Sequence, residues 1–269
     1  MSKITNLPDP MSNPARAYIL CTSPRSGSTL LCRMLTATGV AGHPNSHFHT
    51  PSLTRWLEVY GLADTTFPSR RAALQAVLDA GIARGRGETA CFGLRMQRGS
   101  FPYFMDQLAQ LLPDQPSDHA RLEAAFGPLS FLHLSREDKL AQAVSRVRAE
   151  QSGLWHAHAD GRELERTAPP APPRYDHDAI AAHLAELSRF EEDWRLWFAR
   201  EGIMPLRLTY ESLAQDPQGV LAQVLAHLGR DPAAAEQVAI PTARLADAES
   251  ADWIARFRAE SAGSTPPRS

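Results

Sequence analysis

Apolar and polar positions alternate along this chain in blocks that read as strands and helices in turn. Tyr18-Ile19-Leu20-Cys21 is an apolar run of strand length, so a first strand is expected over Ala17–Cys21. A short polar loop, Ser23-Pro24-Arg25-Ser26-Gly27, follows. Apolar residues then recur at helical spacing (Leu30, Leu31, Met34, Leu35), which predicts a helix from Ser26 to about Thr38 closed by Gly39. Strands are expected again over Thr89–Met96, Leu129–Leu134 and Pro205–Leu208. Helical periodicity marks 52–61, 68–84, 100–112, a long stretch that follows Ser135-Arg136-Glu137-Asp138 to about Gly153, 176–200, and 248–259. Asp216-Pro217 reads as the N-cap and first residue of a further helix that ends near Gly229.

Strands alternating with helices imply an α/β fold of three layers, with a mainly parallel sheet flanked by helices. A chain of 269 residues can build this as one large domain, expected over 16–260. Residues 1–15 read as a flexible arm and 261–269 as a flexible tail. The proline-rich stretch 157–174, with Pro169-Pro170-Ala171-Pro172-Pro173, reads as a flexible loop.

Strand, tight polar loop, helix is the physical recipe for an anion site. The loop amides and the positive end of the helix dipole converge on one point. Ser26, Ser28 and Thr29 add hydroxyl donors, Gly27 lets the backbone turn, and Arg25 adds a fixed charge with fork geometry. Ligands of parallel sheets bind at the carboxyl ends of the strands. Arg136, just after the strand 129–134, falls on that same rim.

Which anion the loop holds can be narrowed by spacing. Against a Walker A loop, Thr22 stands at the first glycine and Ser28 at the lysine, although Thr29 keeps the hydroxyl. The strand 129–134 ends in Leu-Ser-Arg rather than in an acid that would hold magnesium. A phosphatase loop of Cys, five residues, Arg fails from both Cys21 and Cys32, and no Gly-x-Gly-x-x-Gly run is present here.

Composition removes other classes. A net charge of −2 with no broad basic stretch argues against nucleic acid as partner. The three cysteines, Cys21, Cys32 and Cys91, are odd in number and set among apolar residues, which points to a reduced, cytoplasmic chain. No apolar run approaches the roughly 20 residues of a transmembrane helix, and Met1–Asn13 has no signal-peptide core.

Ser23-Pro24-Arg25-Ser26-Gly27-Ser28-Thr29-Leu30-Leu31 resembles the 5′-phosphosulfate loop of sulfotransferases that use 3′-phosphoadenosine-5′-phosphosulfate (PAPS). With Thr38-Gly39-Val40-Ala41-Gly42-x-Pro44, the resemblance narrows to the bacterial carbohydrate sulfotransferases of trehalose 2-sulfotransferase and Nod-factor type. Three later segments agree: 131–149, which is similar to the family's 3′-phosphate segment; Leu208-Thr209-Tyr210-Glu211-Ser212-Leu213 running on to Gly229; and 246–258. The resemblance covers roughly 16–260.

It implies a P-loop-like sulfotransferase fold, PAPS as co-substrate without a metal, and a glycan or other small acceptor. It also allows a homodimer. Arg25, Ser26, Gly27, Ser28 and Thr29 would hold the phosphosulfate, and Arg136 and Ser145 the 3′-phosphate. Arg25 would face the charge that develops on the leaving group. Arg95 falls near a family lysine position. Arg244, Arg256 and Arg258 are further candidates for the nucleotide, and Glu211 for an anchor of the sheet end.

The loop Gly42–Pro51 carries three histidines. In the family a glutamate two residues after the loop proline serves as general base, and here Ser46 occupies that position. A serine is too weakly basic to substitute. His47 and His49 are therefore the candidates for the acceptor's proton, with Ser46 and His43 as acceptor-binding residues. A metal held by His43, His47 and His49 is a weaker reading, since no fourth ligand is evident. Two other functions stay open at this point: a kinase-like P-loop protein with a degenerate loop, and a PAPS-binding protein without catalysis.

Overall fold

The computed structural model describes residues 16–157, 162–239 and 248–263. Four parallel strands form its sheet: β1 (Arg16–Thr22), β2 (Cys91–Gln97), β3 (Leu129–Ser135) and β6 (Leu206–Thr209), in the order β2-β1-β3-β6. β1 is thus internal, with Leu20 registered against Arg95 on one side and Leu132 on the other. The expected α/β class and mainly parallel sheet are what the chain forms.

Period-two alternation in β1 divides the core. Ala17, Ile19 and Cys21 point to one face and join Phe92, Leu94, Met96 and Phe131 of β2 and β3. That face is covered by α3 (Arg70–Arg86), α4 (Phe101–Leu111), α5 (Asp118–Phe126) and α7 (His177–Glu201). Tyr18 and Leu20 point the other way, with Leu132 and Leu134. They pack against Leu31, Met34 and Leu35 of α1 (Ser28–Ala37) and Val220, Leu221 and Val224 of α9 (Pro217–His227). A third apolar cluster joins α6 (Lys139–Ser152) and α7 to α10 (Ala248–Gly263) through Val144, Val147, Ile180, Leu187, Trp253 and Phe257.

Helix starts follow their caps. Ser52, Ser69, Ser117, Asp138, Asp176, Thr209 and Asp216 each accept a first-turn backbone N–H. Thr209 opens the short α8 (Tyr210–Gln215), and Ser52 opens α2 (Leu53–Val59).

Three details depart from the sequence reading. The stretch 157–174 is not wholly loop. β4 (Leu154–Ala157) pairs antiparallel with β5 (Glu163–Arg166), with Arg166 reaching the Ser152 carbonyl at 2.6 Å and the Thr167 amide donating to the Gly153 carbonyl at 2.8 Å across the hairpin. α5 and α8, neither expected, form behind their Ser117 and Thr209 caps. α10 continues to Gly263, three residues into the expected tail. The arm 1–15, residues 158–161 and 264–269 lie outside the described residues.

Trp194 ties α7 to the sheet end. Its indole donates to the Thr22 carbonyl at 3.0 Å, and the Arg98 amide donates to the same oxygen at 3.0 Å. Trp194 is 1% exposed and stacks near Phe101 and Phe198. Trp194→Phe, which removes the donor and leaves a void, should lower unfolding stability by about 2–4 kcal/mol in urea titration.

Candidate functional site

The chain leaves β1 through a turn that fixes the loop Ser23–Gly27. Arg25 (φ 62°) and Gly27 (φ 83°) are both left-handed, so the backbone curls tightly before α1 begins. α1 starts at Ser28, two residues later than expected, with Gly27 as its N-cap. A Cβ at Gly27 would sit 2.9 Å from the Tyr210 ring. No side chain caps this helix, and its first turn carries no acid. The positive end of its dipole is therefore left for a ligand, unlike those of the capped helices.

Buried side chains hold the loop from behind. The Thr22 hydroxyl donates to the Leu134 carbonyl at 2.8 Å and lies 2.6 Å from the Ser26 hydroxyl. Gln142 of α6, fully buried, donates through Nε2 to the Ser23 hydroxyl at 3.0 Å and to the Pro24 carbonyl at 2.6 Å. Thr22 and Gln142 are positioning residues that sequence reasoning passed over.

Residues far apart in sequence meet at this loop. Arg25 Nε donates to the Ser145 hydroxyl at 3.0 Å, and its Nη1 donates to the Trp155 carbonyl of β4. Arg136 Nη1 donates to the Arg25 carbonyl at 3.3 Å, with its guanidinium 4.4 Å above the Tyr210 ring. Glu211 accepts from the Glu137 and Asp138 amides at 3.1 and 3.4 Å, so it anchors the turn that carries Arg136. Arg25, Ser26, Gly27, Ser28, Thr29, Arg136 and Ser145 are thus gathered at one rim. Arg256 lies elsewhere, over the Tyr175 ring and paired with Glu260 at 2.8 Å. Arg258 is exposed on α10, and Arg244 lies outside the described residues.

On the β2 side of the loop, Arg95 makes the link to the histidine segment. Its guanidinium donates to Thr29 Oγ1 (2.8 Å), Ser46 Oγ (2.8 Å) and Asn45 Oδ1 (3.2 Å). The Asn45 backbone bridges to Leu94 and receives the Arg95 amide at 3.0 Å, which docks the loop on the sheet edge. Ser46, where the family's acid is expected, is thus a direct neighbour of an arginine that reaches the donor loop.

The three histidines separate. His47 is 7% exposed, lies near Phe92, and places Nε2 3.0 Å from the His43 carbonyl. A carbonyl only accepts, so this nitrogen carries the proton and Nδ1 keeps the lone pair. Burial, aided by Arg84 and Arg95, lowers its pKa from 6.5 to about 4 against the opposing pull of the His43 carbonyl. The ring is therefore neutral at physiological pH. His49 is exposed, with Nδ1 3.4 Å from the Ser100 hydroxyl, and His43 is exposed.

His43 and His47 line a cavity of about 600 Å³ that runs beside α1 and ends at Thr29 and Arg95. Among the described residues no group of His, Cys, Asp and Glu is placed to hold a metal. No helix among them is long and apolar enough to cross a membrane.

The parallel sheet and the uncapped start of α1 define an α/β protein whose helix terminus at the carboxyl end of β1 suits an anionic group, with a cavity beside it. Residues 17–260 match the family model described as Stf0 sulphotransferase. The trehalose 2-sulfotransferase of Mycobacterium tuberculosis (strain ATCC 35801 / TMC 107 / Erdman) is 31% identical, covering 93% of this chain and 97% of the relative. That of Mycolicibacterium smegmatis (strain ATCC 700084 / mc(2)155) is 30% identical, covering 92% and 96%. A solved sulfotransferase domain from the Synechococcus PCC 7002 olefin synthase aligns over 92% of this chain and 96% of its own at 18% identity, with a TM-score of 0.37. The chain belongs to the Stf0 sulphotransferase family, and its homologues mark it as a transferase.

The depressed pKa of His47 has a consequence for stability. The unfolded chain binds this proton near pH 6.5 and the folded protein only near 4. Between those values the unfolded state holds more protons, so stability present above pH 6.5 is lost as pH falls toward 4, by about 3 kcal/mol in all. His133, buried and held down in the same direction, adds to the slope. Urea titrations from pH 7 to 4 should show this loss, and His47→Gln should flatten much of it.

Proposed function

We propose that this protein moves a sulfuryl group from PAPS to a carbohydrate hydroxyl and releases adenosine 3′,5′-bisphosphate. One observation carries the reading: Arg136 and Ser145, each more than 100 positions from Arg25 in the chain, converge with it on the uncapped start of α1. Such a rim of amides, hydroxyls and guanidinium groups suits a ligand with phosphates at both ends of a ribose. The residues present fit the group, because the loop has donors in excess and no acid in the first turn of its helix.

In this reading Ser26, Ser28, Thr29 and the loop amides hold the 5′-phosphosulfate, and Arg136 and Ser145 take the 3′-phosphate. Arg25 lies between them and stabilises negative charge as it builds on the leaving phosphate. The acceptor approaches from the cavity on the β2 side, in which Thr29 is shared with the donor loop. His47 takes the acceptor's proton through Nδ1. The His43 carbonyl fixes its tautomer, much as a third group orients the base of a catalytic triad. Arg95 and Ser46 position the acceptor against the donor loop. The three cysteines, all buried and free, support a place in the cytoplasm.

Isothermal titration with adenosine 3′,5′-bisphosphate tests the donor site, with Mg-ATP as the contrasting ligand. Micromolar binding of the bisphosphate is expected, together with much weaker binding of Mg-ATP; the reverse preference would favour a kinase-like protein. Arg136→Ala should weaken bisphosphate binding by about 10- to 100-fold, since it removes a charge-assisted contact of about 1.5–3 kcal/mol.

Transfer of labelled sulfate from PAPS to a glycan panel tests catalysis. His47→Gln should lower turnover by at least about 100-fold while bisphosphate affinity stays within twofold. Full turnover in that variant, with loss in His49→Ala, would move the base role to His49.

A further inference from the structure

The cavity beside α1 differs in chemistry from a site for a neutral sugar. Thr29, Arg33 and Thr36 recur at helical spacing on one face of α1 and form one wall. Arg84 of α3 and Arg95 of β2 also line it, with Arg95 bonded to Thr29 at 2.8 Å. Three guanidinium groups therefore line about 600 Å³, a volume suited to a small saccharide, and no aspartate or glutamate lines it.

None of these charges is neutralised within the described residues. Arg95 spends its donors on two hydroxyls and the Asn45 amide oxygen. Arg84 donates to the Val59 carbonyl at 3.2 Å and lies 4.6 Å over the Tyr60 ring. Arg33, half-buried, has no hydrogen-bond or ion-pair partner among the described residues. Elsewhere the chain pairs its arginines readily: Arg55, Arg121, Arg146, Arg166 and Arg195 each meet a carboxylate within three or four residues. Like charges gathered without counter-charge disfavour the empty protein and favour an anion.

Hydrogen-bond chemistry points the same way. A neutral sugar presents hydroxyls that must donate as well as accept, so its sites need acceptors. Guanidinium groups only donate. Asn45 Oδ1, an acceptor in the lining, already receives Arg95 and the Ser46 amide. Beside Arg95 this chain has Ser46, whose hydroxyl accepts from it at 2.8 Å, so no carboxylate supplies negative charge on the protein side.

We propose that the acceptor itself supplies that charge: it is a saccharide carrying a fixed anionic group, a carboxylate or a phosphate, that docks on Arg33, Arg84 and Arg95 beside the donor loop. This rests on the sulfotransferase reading above and names its acceptor class. The nucleotide lies on the opposite side of β1, against Arg136 and Ser145, so the two anion sites are distinct.

The test is binding of saccharides to the protein saturated with adenosine 3′,5′-bisphosphate, followed by transfer assays. The probes are trehalose, trehalose 6-phosphate and a glucuronosyl-glucose disaccharide. At least one charged probe should bind at least tenfold more tightly than trehalose. The arm that binds distinguishes phosphate from carboxylate. Arg33→Ala and Arg33→Glu should erase the preference for the charged probe over trehalose while leaving bisphosphate affinity unchanged. Equal or tighter binding of trehalose, or no binding of either charged probe while the bisphosphate still binds, would overturn the acceptor class alone. A fall in bisphosphate affinity in Arg33→Ala would make the cavity part of the nucleotide site and would equally overturn it. Failure of the bisphosphate to bind the unaltered protein would instead remove the sulfotransferase reading.

Discussion

The turn by which the chain leaves β1 decides what the rest of the rim can do. Thr22, the last residue of the strand, holds Ser26 from one side and the Leu134 carbonyl of β3 from the other. Its own carbonyl is bound by Trp194 and by the Arg98 amide. With the strand end fixed at both its hydroxyl and its carbonyl, the next five residues must reverse within a short span, and Arg25 and Gly27 do so with positive φ. The strain of a left-handed arginine is of the order of 1–3 kcal/mol. It is offset by the bonds its side chain makes to Ser145 and Trp155. The same residue that bends the loop thus binds it to α6 and to the β4–β5 hairpin. Loop shape and the placement of charge around it are one constraint.

That coupling explains why the rim was largely legible in sequence. A strand of apolar residues, a loop of small and polar ones and a helix at regular spacing are local signals, and each is enforced by burial on both faces of a parallel sheet. Arg136 was legible because it follows a strand in the same fold, and all such strand ends share one side. What stayed hidden depends on the third dimension. Gln142 clamps the loop from a helix more than 100 residues away, and nothing in its local pattern separates it from a surface glutamine. Trp155 sits just before the stretch whose prolines suggested a loop, yet its backbone receives Arg25 because Arg166 and Thr167 bond back to the Ser152 and Gly153 carbonyls and fold that stretch into a hairpin. α5 and α8 are short, and their Ser and Thr caps were their clearest markers.

The histidine loop shows the limit from the chemical side. By sequence His47 and His49 are both candidates, two residues apart. The turn at His47-Phe48 places them in different surroundings. His47 faces inward, bonds the His43 carbonyl and becomes a neutral ring of fixed tautomer, while His49 faces solvent. Burial thus weakens His47 as a base in the ordinary sense but keeps its lone pair available across the physiological range. A base of low pKa is useful only if its conjugate acid is stabilised as it forms. Nearby Arg84 and Arg95 work against that in the empty protein.

An anionic acceptor would ease the conflict between the base and its neighbours. Burial is the main cause of the low His47 proton affinity, and the cations that add to it also line the cavity the acceptor would fill. A carboxylate or phosphate bound against them would offset their part of the shift, so the base would strengthen as the substrate arrives. An acid at position 46 would provide a similar counter-charge permanently. With Ser46 there instead, an anionic substrate would complete the charge balance of the site, and selectivity for a charged acceptor and readiness for proton transfer would share one physical cause. The donor side would need no such adjustment, because a phosphosulfate would bring its own negative charges to an uncapped helix. Two anions drawn to opposite sides of β1, with Thr29 common to the loop and the cavity, would bring a sugar hydroxyl beside the phosphosulfate without a carboxylate on the protein between them.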